Sequence, residues 1–429
     1  MSIGLFSGAV VWALRGWISA SWALWGGCFA AVHFGLTSYW MDSYWGGGVA
    51  ALGGALVFGA IPRVLEGATI RHSLIAGVGT ALSLTTRPYE SVFFLAFVLG
   101  WVLWRAKSAG LWHRLPSALL PGAVVVVATG LFMCYQDLRV TGNPLRLPYI
   151  EVQHQYGVNQ PLIFFPDVFV SGVRDRQITA EAATQIRFHK RLRTIPGFLA
   201  KEAGWLRTTW RCFLGFLPLP PLLWAWAARR QLAFFVAFGA ITVVALANAL
   251  YGYFFGHYDA PLAVAWLLLM MIGWRQMRCW KYHGRPVGLA FSRALSISVV
   301  LSPWVLYAAR AAEPIWPSLQ TWNRRVEDEF SVHNNRALTL ACLEAQPGRQ
   351  LAIVRTPPSS RDPGPEWVYN SADMNSQRVL WADDLGEAEN RTLMRHFSGR
   401  TVWLIESDED PVRIAPLSGQ AAIKCPGLR

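Results

Sequence analysis

Long hydrophobic runs with almost no charge alternate with short polar turns through most of the chain, and residues 118–132, 234–250 and 261–273 are the clearest of them. A helix rises about 1.5 Å per residue and needs about 20 residues to cross a bilayer, so these runs with their flanks predict membrane-spanning helices. The pattern places full spans near 17–38, 47–61, 71–84, 88–104, 116–135, 210–228, 231–251, 259–274 and 288–309, with a partial one at 3–14. The expected fold class is an all-α polytopic membrane bundle of about 9–10 transmembrane helices, occupying residues 1–309 with an outer loop at 136–209. Glycines crowd residues 46–60 (Gly46, Gly47, Gly48, Gly53, Gly54 and Gly59), which suits close helix packing better than lipid contact.

Within the long loop, residues 179–195 read as a helix with Thr179 as N-cap and its cations late, and residues after Pro196 mix Trp, Leu and Lys/Arg as an interfacial helix does. The pattern changes again near residue 318. Residues 351–356, 378–384 and 401–407 read as buried strands, with a helix at 386–397 between the last two. Strand–helix–strand predicts a parallel pair, hence a small α/β domain over 318–429.

The turns sort into two kinds. Arg15 and residues 63–71, 105–114, 229–230 and 275–285 are rich in Lys and Arg. The intervening turns, SYWMDSYWGG (38–47), TTRPYE (85–90) and YGYFFGHYDAP (251–261), hold Arg87 as their only Lys or Arg. The positive-inside rule puts the basic set in the cytoplasm. Alternation then puts the aromatic turns, loop 136–209 and the C-terminal domain on the outer side of the membrane. The cations at 187–211 run against this orientation, but long loops count weakly in the rule.

With 53% hydrophobic residues, 22 Trp and 15% charged residues, the chain is too apolar for an ordinary soluble enzyme. Its net charge of +13 lies in turns between spans, where orientation and anionic lipid explain it, so nucleic acid is not an expected partner. The six cysteines show no CxxC and no metal-ligand spacing. Cys342 and Cys425 could pair in an exported tail, although two free thiols is the plainer reading. No secretory signal peptide is visible.

Each unusual turn has a bland and a functional reading. Asp42 sits among Tyr39, Trp40, Tyr44 and Trp45; interfacial belt residues account for the rings, but not for an acid followed by three glycines. Arg87 and Glu90 could simply close a turn as an ion pair. Alternatively, Arg87 grips a phosphate, for which a planar, permanently charged donor is suited. Asp137, Arg139, Arg146, Glu151 and His154 fall in a segment dense in polar and aromatic side chains that either contact sugar or merely solvate a loop. His257 and Asp259 lie at a membrane boundary, and His-x-Asp without a third ligand is no metal site. In the tail, Asp383 and Asp384 end a strand and read as solvated helix-capping acids.

Together YWMDSYWGG, ALGGAL, TTRPYE, FFGHYDAP and the tail segments EWVYNSAD, VLWADDLG and VWLIE resemble a group of bacterial integral-membrane proteins classed with the GT-C glycosyltransferases. The resemblance covers nearly the whole chain. It implies a polyprenyl-phosphate-sugar donor entering from the bilayer, a glycan or lipid acceptor met on the periplasmic face, and a soluble C-terminal domain there. It implies no resident cofactor, though some members of the family use a divalent metal ion.

One departure matters. GT-C enzymes carry an acid in the first outer loop, after the first span, and this sequence opens in mid-helix at Ser2. The expectation is an N-terminal truncation or wrong start that leaves the chain inactive alone, or else that Asp42 has taken the role. The sequence therefore predicts Asp42 as general base and Arg87 and Arg139 at the donor phosphate. Tyr44, Trp45, Glu90, Arg146, His154, His257 and Asp259 would contact substrate. A transporter of lipid or solute, or a non-catalytic membrane scaffold, are the rival readings.

Overall fold

The computed structural model describes residues 2–36, 38, 40, 45–67, 70–156, 162–167, 176–214, 219–312, 335–355, 367–407, 409 and 412–417. Asp42 and Tyr44 lie outside these residues. The chain divides into two compact units: Met1–Pro148 with Pro161–Phe164 and Leu192–Ile315, and Tyr149–Gln160 with Phe165–Arg191 and Trp316–Arg429.

The first unit is built from α1 (Ser2–Leu14), α2 (Ala20–Leu36), α3 (Gly47–Gly67), α4 (Ile70–Thr86), α5 (Pro88–Ser108) and α6 (Leu115–Thr141). The helices α7 (Pro148–Tyr156) and α8 (Arg176–Leu192) fall almost wholly in the second unit. The first then resumes with α9 (Ile195–Thr209), α10 (Leu219–Ala225), α11 (Leu232–Leu250), α12 (Ala263–Arg278) and α13 (Val287–Ala312). Among the described residues six helical stretches are long and apolar enough to cross a membrane: Gly47–Gly67, Pro88–Ser108, Trp112–Thr141, Leu232–Leu250, Ala260–Arg278 and Val287–Val305. At 17 residues each, α2 and α4 are shorter, about 26 Å long.

The span expected at 210–228 is not one helix. A π-turn at Trp210–Leu214, the short α10 and a 3-10 turn at Trp226–Ala228 replace it. Pro220 and Pro221 set the start of α10 as a separate helix, since each lacks an N–H donor and crowds the preceding turn. Thr179 is likewise no cap, because α8 begins at Arg176. Thr194 caps α9 instead, accepting from Gly197 N at 3.2 Å.

Helix α12 is the centre of this unit. Leu267, Leu268, Met270, Met271 and Trp274 are fully buried, so it is apolar all round. On α6, by contrast, Leu120, Val124, Val127, Leu131 and Phe132 are all exposed. A continuous apolar face of that kind is suited to lipid and not to water. The glycines work as anticipated. A Cβ on Gly79 would come within 2.7 Å of Gly53 O, and one on Gly77 within 2.6 Å of Gly122 O, so α4 touches α3 and α6 backbone to backbone.

In the second unit a four-stranded sheet runs in the order β2-β1-β3-β4. Strand β1 (Arg349–Arg355) lies parallel to both β2 (Val379–Asp383) and β3 (Arg400–Glu406), and β4 (Arg413–Pro416) is antiparallel to β3. The three strands anticipated from the sequence are thus present, with α15 (Glu387–His396) between the last two and α14 (Asn335–Glu344) before β1. Alternate residues of β1 face opposite sides: Ala352 and Val354 join Trp381, Trp403 and Ile405, while Leu351 and Ile353 join Leu380 and Val402. Asp384 is not a solvated acid. It pairs with Arg355 Nε at 2.6 Å and accepts from Asn390 Nδ2 and Gly386 N, bracing the start of α15. Cys342 on α14 is disulfide-bonded, which corrects the reading of two free thiols in the tail. Cys425 lies outside the described residues.

Candidate functional site

A single residue, Arg87, joins α4 to α5. Pro88 opens α5, where its fixed φ suits a helix start and its missing N–H is no loss. The joint is braced by Ser91 Oγ, which donates to Ser83 O at 3.0 Å. The Arg87 side chain then reaches away from its own hairpin. Its Nη2 donates to Trp45 O at 2.8 Å, and its guanidinium carbon lies 4.5 Å from the centre of the Tyr258 ring. This is within cation–π range. The ion pair with Glu90, one of the two readings of this turn, does not form, and among the described residues no acid lies within pairing distance of Arg87. Its Nε is buried with no hydrogen-bond partner among the described residues.

Trp45 arrives from the turn before α3. Gly46 there has φ +74°, a left-handed conformation that glycine adopts without strain. The turn carries the Trp45 ring to 5.1 Å from His257 and 6.0 Å from Phe255. His257 stacks on Phe255 at 5.7 Å and meets Tyr258 edge-on at 5.1 Å. Tryptophan from the first aromatic turn, arginine from the second and histidine and tyrosine from the third therefore form one cluster. Trp40, from the same turn as Trp45, is not a belt residue: it is 2% exposed and stacks on Phe34 at 4.7 Å.

Beneath the rings lies a buried polar layer. Asp259 is 1% exposed; its Oδ1 accepts from Asn248 Nδ2 at 2.6 Å and its Oδ2 from Trp205 Nε1 at 3.2 Å. Asn248 Oδ1 has no hydrogen-bond partner among the described residues. The loop carrying Asp259 can approach α3 because residue 54 is glycine; any Cβ there would collide with the Pro261 carbonyl. Lys201 Nζ donates to Asn248 O at 2.7 Å and Ala249 O at 2.9 Å, and pairs with Glu202 at 2.8 Å. It thereby satisfies carbonyls at the C-terminus of α11, where a cation is also favoured by the helix dipole. Tyr89 Oη donates to Ala247 O at 2.8 Å, tying α5 to the same helix end.

Burial and charge set the protonation states. Burial, and then the charge of nearby Glu90, push the Asp259 carboxyl up to about 7, against the opposing hydrogen bonds from Trp205 and Asn248. Burial and then the Arg87 charge push His257 down to about 3, so its imidazole is neutral at physiological pH. Burial raises Tyr258 above the usual phenol range, although the Arg87 charge works against it. The cluster thus presents one permanent cation, a neutral imidazole and a carboxyl poised to exchange a proton near neutrality.

Of the residues singled out in the sequence, Trp45, Arg87, His257 and Asp259 come together, with Glu90 buried close enough to act on Asp259. Arg139 is exposed in the last turn of α6, Arg146 is half-buried just after it, and Asp137 is buried on α6. His154 lies on α7, in the second unit. Lys201, Trp205 and Asn248 were missed. Their signals were a lone carboxamide in the apolar run of α11, and Lys201, Trp205 and Thr209 at four-residue spacing on one stripe of α9. Among the described residues no group of three or more His, Cys, Asp and Glu gathers to hold a metal ion. Comparison with known proteins adds no relative: no protein-family model, no curated protein and no solved structure matches this chain.

Proposed function

We propose that the chain is a GT-C-like membrane glycosyltransferase that moves a sugar from a polyprenyl-phosphate donor to an acceptor hydroxyl at the end of the bundle where Trp45, Arg87 and His257 meet. The observation that carries this reading is the state of Arg87: a half-buried guanidinium with no acidic partner among the described residues, set on an aromatic face beside Trp45 and His257. A guanidinium held this way is suited to the phosphate of a lipid donor, and the surrounding rings to the faces of a sugar.

In the reaction, the acceptor oxygen attacks the anomeric carbon and the bond from that carbon to the lipid-phosphate oxygen breaks. The acceptor proton passes to a carboxylate, and the lipid phosphate leaves carrying negative charge that Arg87 offsets. Asp42, three residues before Trp45, takes the base role. Both oxygens of Asp259 are engaged by Asn248 and Trp205, so it serves as the support that positions His257 and Tyr258. No step is routed through a metal ion.

The orientation belongs to the same proposal. The aromatic turns face an oxidising periplasm, on the grounds of the positive-inside rule and of the disulfide at Cys342, since such bonds persist outside the cytoplasm. The test is sugar transfer in proteoliposomes supplied with polyprenyl-phosphate sugars. Arg87→Ala should lower turnover by about 10²–10³, the usual cost of removing one charge-stabilising donor, and Arg87→Lys should restore part of it. Asp42→Asn should abolish transfer without changing expression. Unchanged turnover in Arg87→Ala, at equal protein level, would overturn the assignment.

A further inference from the structure

The opposite, arginine-rich end of the first unit holds a cavity of about 420 Å³. It lies where the turn after α1, the ends of α3 and α5 and the start of α11 meet. Trp17, Pro62, Leu65, Trp101 and Leu111 form apolar walls, and Arg105, Glu66 and Gln231 bring polar groups. The size suits a single drug-sized or chain-like ligand, and the lining is that of an amphiphile site: a greasy slot with charge at one margin.

The charge at that margin is positive. The Arg105 side chain is exposed and makes no hydrogen bond or ion pair among the described residues. Glu66, the one acid of the lining, lies within electrostatic reach of Arg63, as does Arg15. Arg63 itself is spent on the Trp12 carbonyl at 2.7 Å and the Trp12 ring at 4.2 Å. Arg275 Nη2 donates to Gln231 Oε1 at 2.9 Å, adding another cation beside the site. Finally, Gln231 begins α11 without a side-chain cap, so the first-turn N–H groups at Leu232 and Ala233, both in the lining, have no partner within the helix. Such an end favours an anion.

We propose that this cavity binds an anionic membrane phospholipid, with its chain along the wall that the touching Trp17 and Trp101 rings form and its phosphate against Arg105 and the start of α11. Basic pockets between spanning helices are a recurrent setting for anionic lipid headgroups. This inference is independent of the transferase reading, because it concerns the other end of the bundle and binding alone.

The test is native mass spectrometry of the full chain in detergent, titrated with phosphatidylglycerol, phosphatidylcholine or inorganic phosphate. Wild-type protein should retain phosphatidylglycerol over phosphatidylcholine, and Arg105→Glu should reduce that retention by at least about fivefold, since losing one cation near a lipid phosphate costs about that much and the variant also adds a negative charge. Arg105→Lys should keep it. Ala109→Trp, on an exposed rim position, should block the chain slot with little effect on folding. Equal retention of both lipids by wild type, undiminished retention by Arg105→Glu and Ala109→Trp, or displacement of the lipid by equimolar inorganic phosphate would each overturn the proposal.

Discussion

Replacing Asp259 with asparagine separates two titrations that oppose each other in the wild-type protein. The Asp259 carboxyl titrates at about 7 in the folded chain against an ordinary 3.8. The folded state therefore binds this proton more tightly than the unfolded state. Its contribution is fully present below pH 3.8 and is lost as pH rises towards 7, at about 1.4 kcal/mol per pH unit, about 4 kcal/mol in all. His257 does the reverse. Its pKa falls from 6.5 to about 3 on folding, so stability rises at the same rate from pH 3 to 6.5. Between pH 4 and 6.5 the two slopes nearly cancel in the wild type.

Asparagine removes only the first slope. At pH 4 the variant should be less stable by about 1–3 kcal/mol, because one terminal atom becomes a donor and either Asn248 or Trp205 loses its acceptor. That deficit should shrink as pH rises and change sign by pH 7, where the wild-type protein holds a buried carboxylate and the variant does not. The assay is thermal unfolding in detergent from pH 4 to 8, where each kcal/mol moves the midpoint by about 2 °C in a chain this long. His257→Gln should show the opposite trend, losing ground to the wild type as pH rises from 4 to 6.5. A deficit in Asp259→Asn that is constant with pH, or that grows with pH, would refute the reasoning.

Three further outcomes are expected. Gly54→Ala should cost about 1–3 kcal/mol by overpacking, because the new methyl meets the Pro261 carbonyl; thermal unfolding checks this, and Gly4→Ala, where nothing lies within 4 Å, serves as the neutral control. Lys201→Met should destabilise the chain by about 1–3 kcal/mol by leaving the Asn248 and Ala249 carbonyls without their cationic donor. Substrate binding should fall with it in the transfer assay, since the following loop carries His257. On the disulfide, a thiol-specific reagent applied to the denatured, unreduced chain should leave the Cys342 peptide unlabelled and label it after reduction, whereas Cys28 and Cys134 should react in both.

Which parts of this architecture were legible in the sequence depends on the range of the physics involved. Strand β1 shows as a run of apolar residues because both faces of a parallel strand are covered, and the close approach of α3 to α4 shows as glycines because nothing else fits between the backbones. Both are local requirements, so they leave a local mark. The span expected at 210–228 failed because hydropathy averages over the prolines that interrupt it. The site is a different matter. Alternation assigns the three aromatic turns to one end of the bundle, but it does not say which of them touch. That choice is made by residues whose sequence context is unremarked: Gly54 under Pro261, Asn248 under Asp259, and Lys201 on the last carbonyls of α11. Lys201 also has a structural role that its sequence context does not announce. It counts among the cations of residues 187–211 that oppose the positive-inside rule, yet its ammonium is committed to helix α11 and is not displayed to a membrane surface. The same distinction, between charge committed to structure and charge left over, is what separates Arg63 from Arg105 at one end of the bundle and Lys201 from Arg87 at the other.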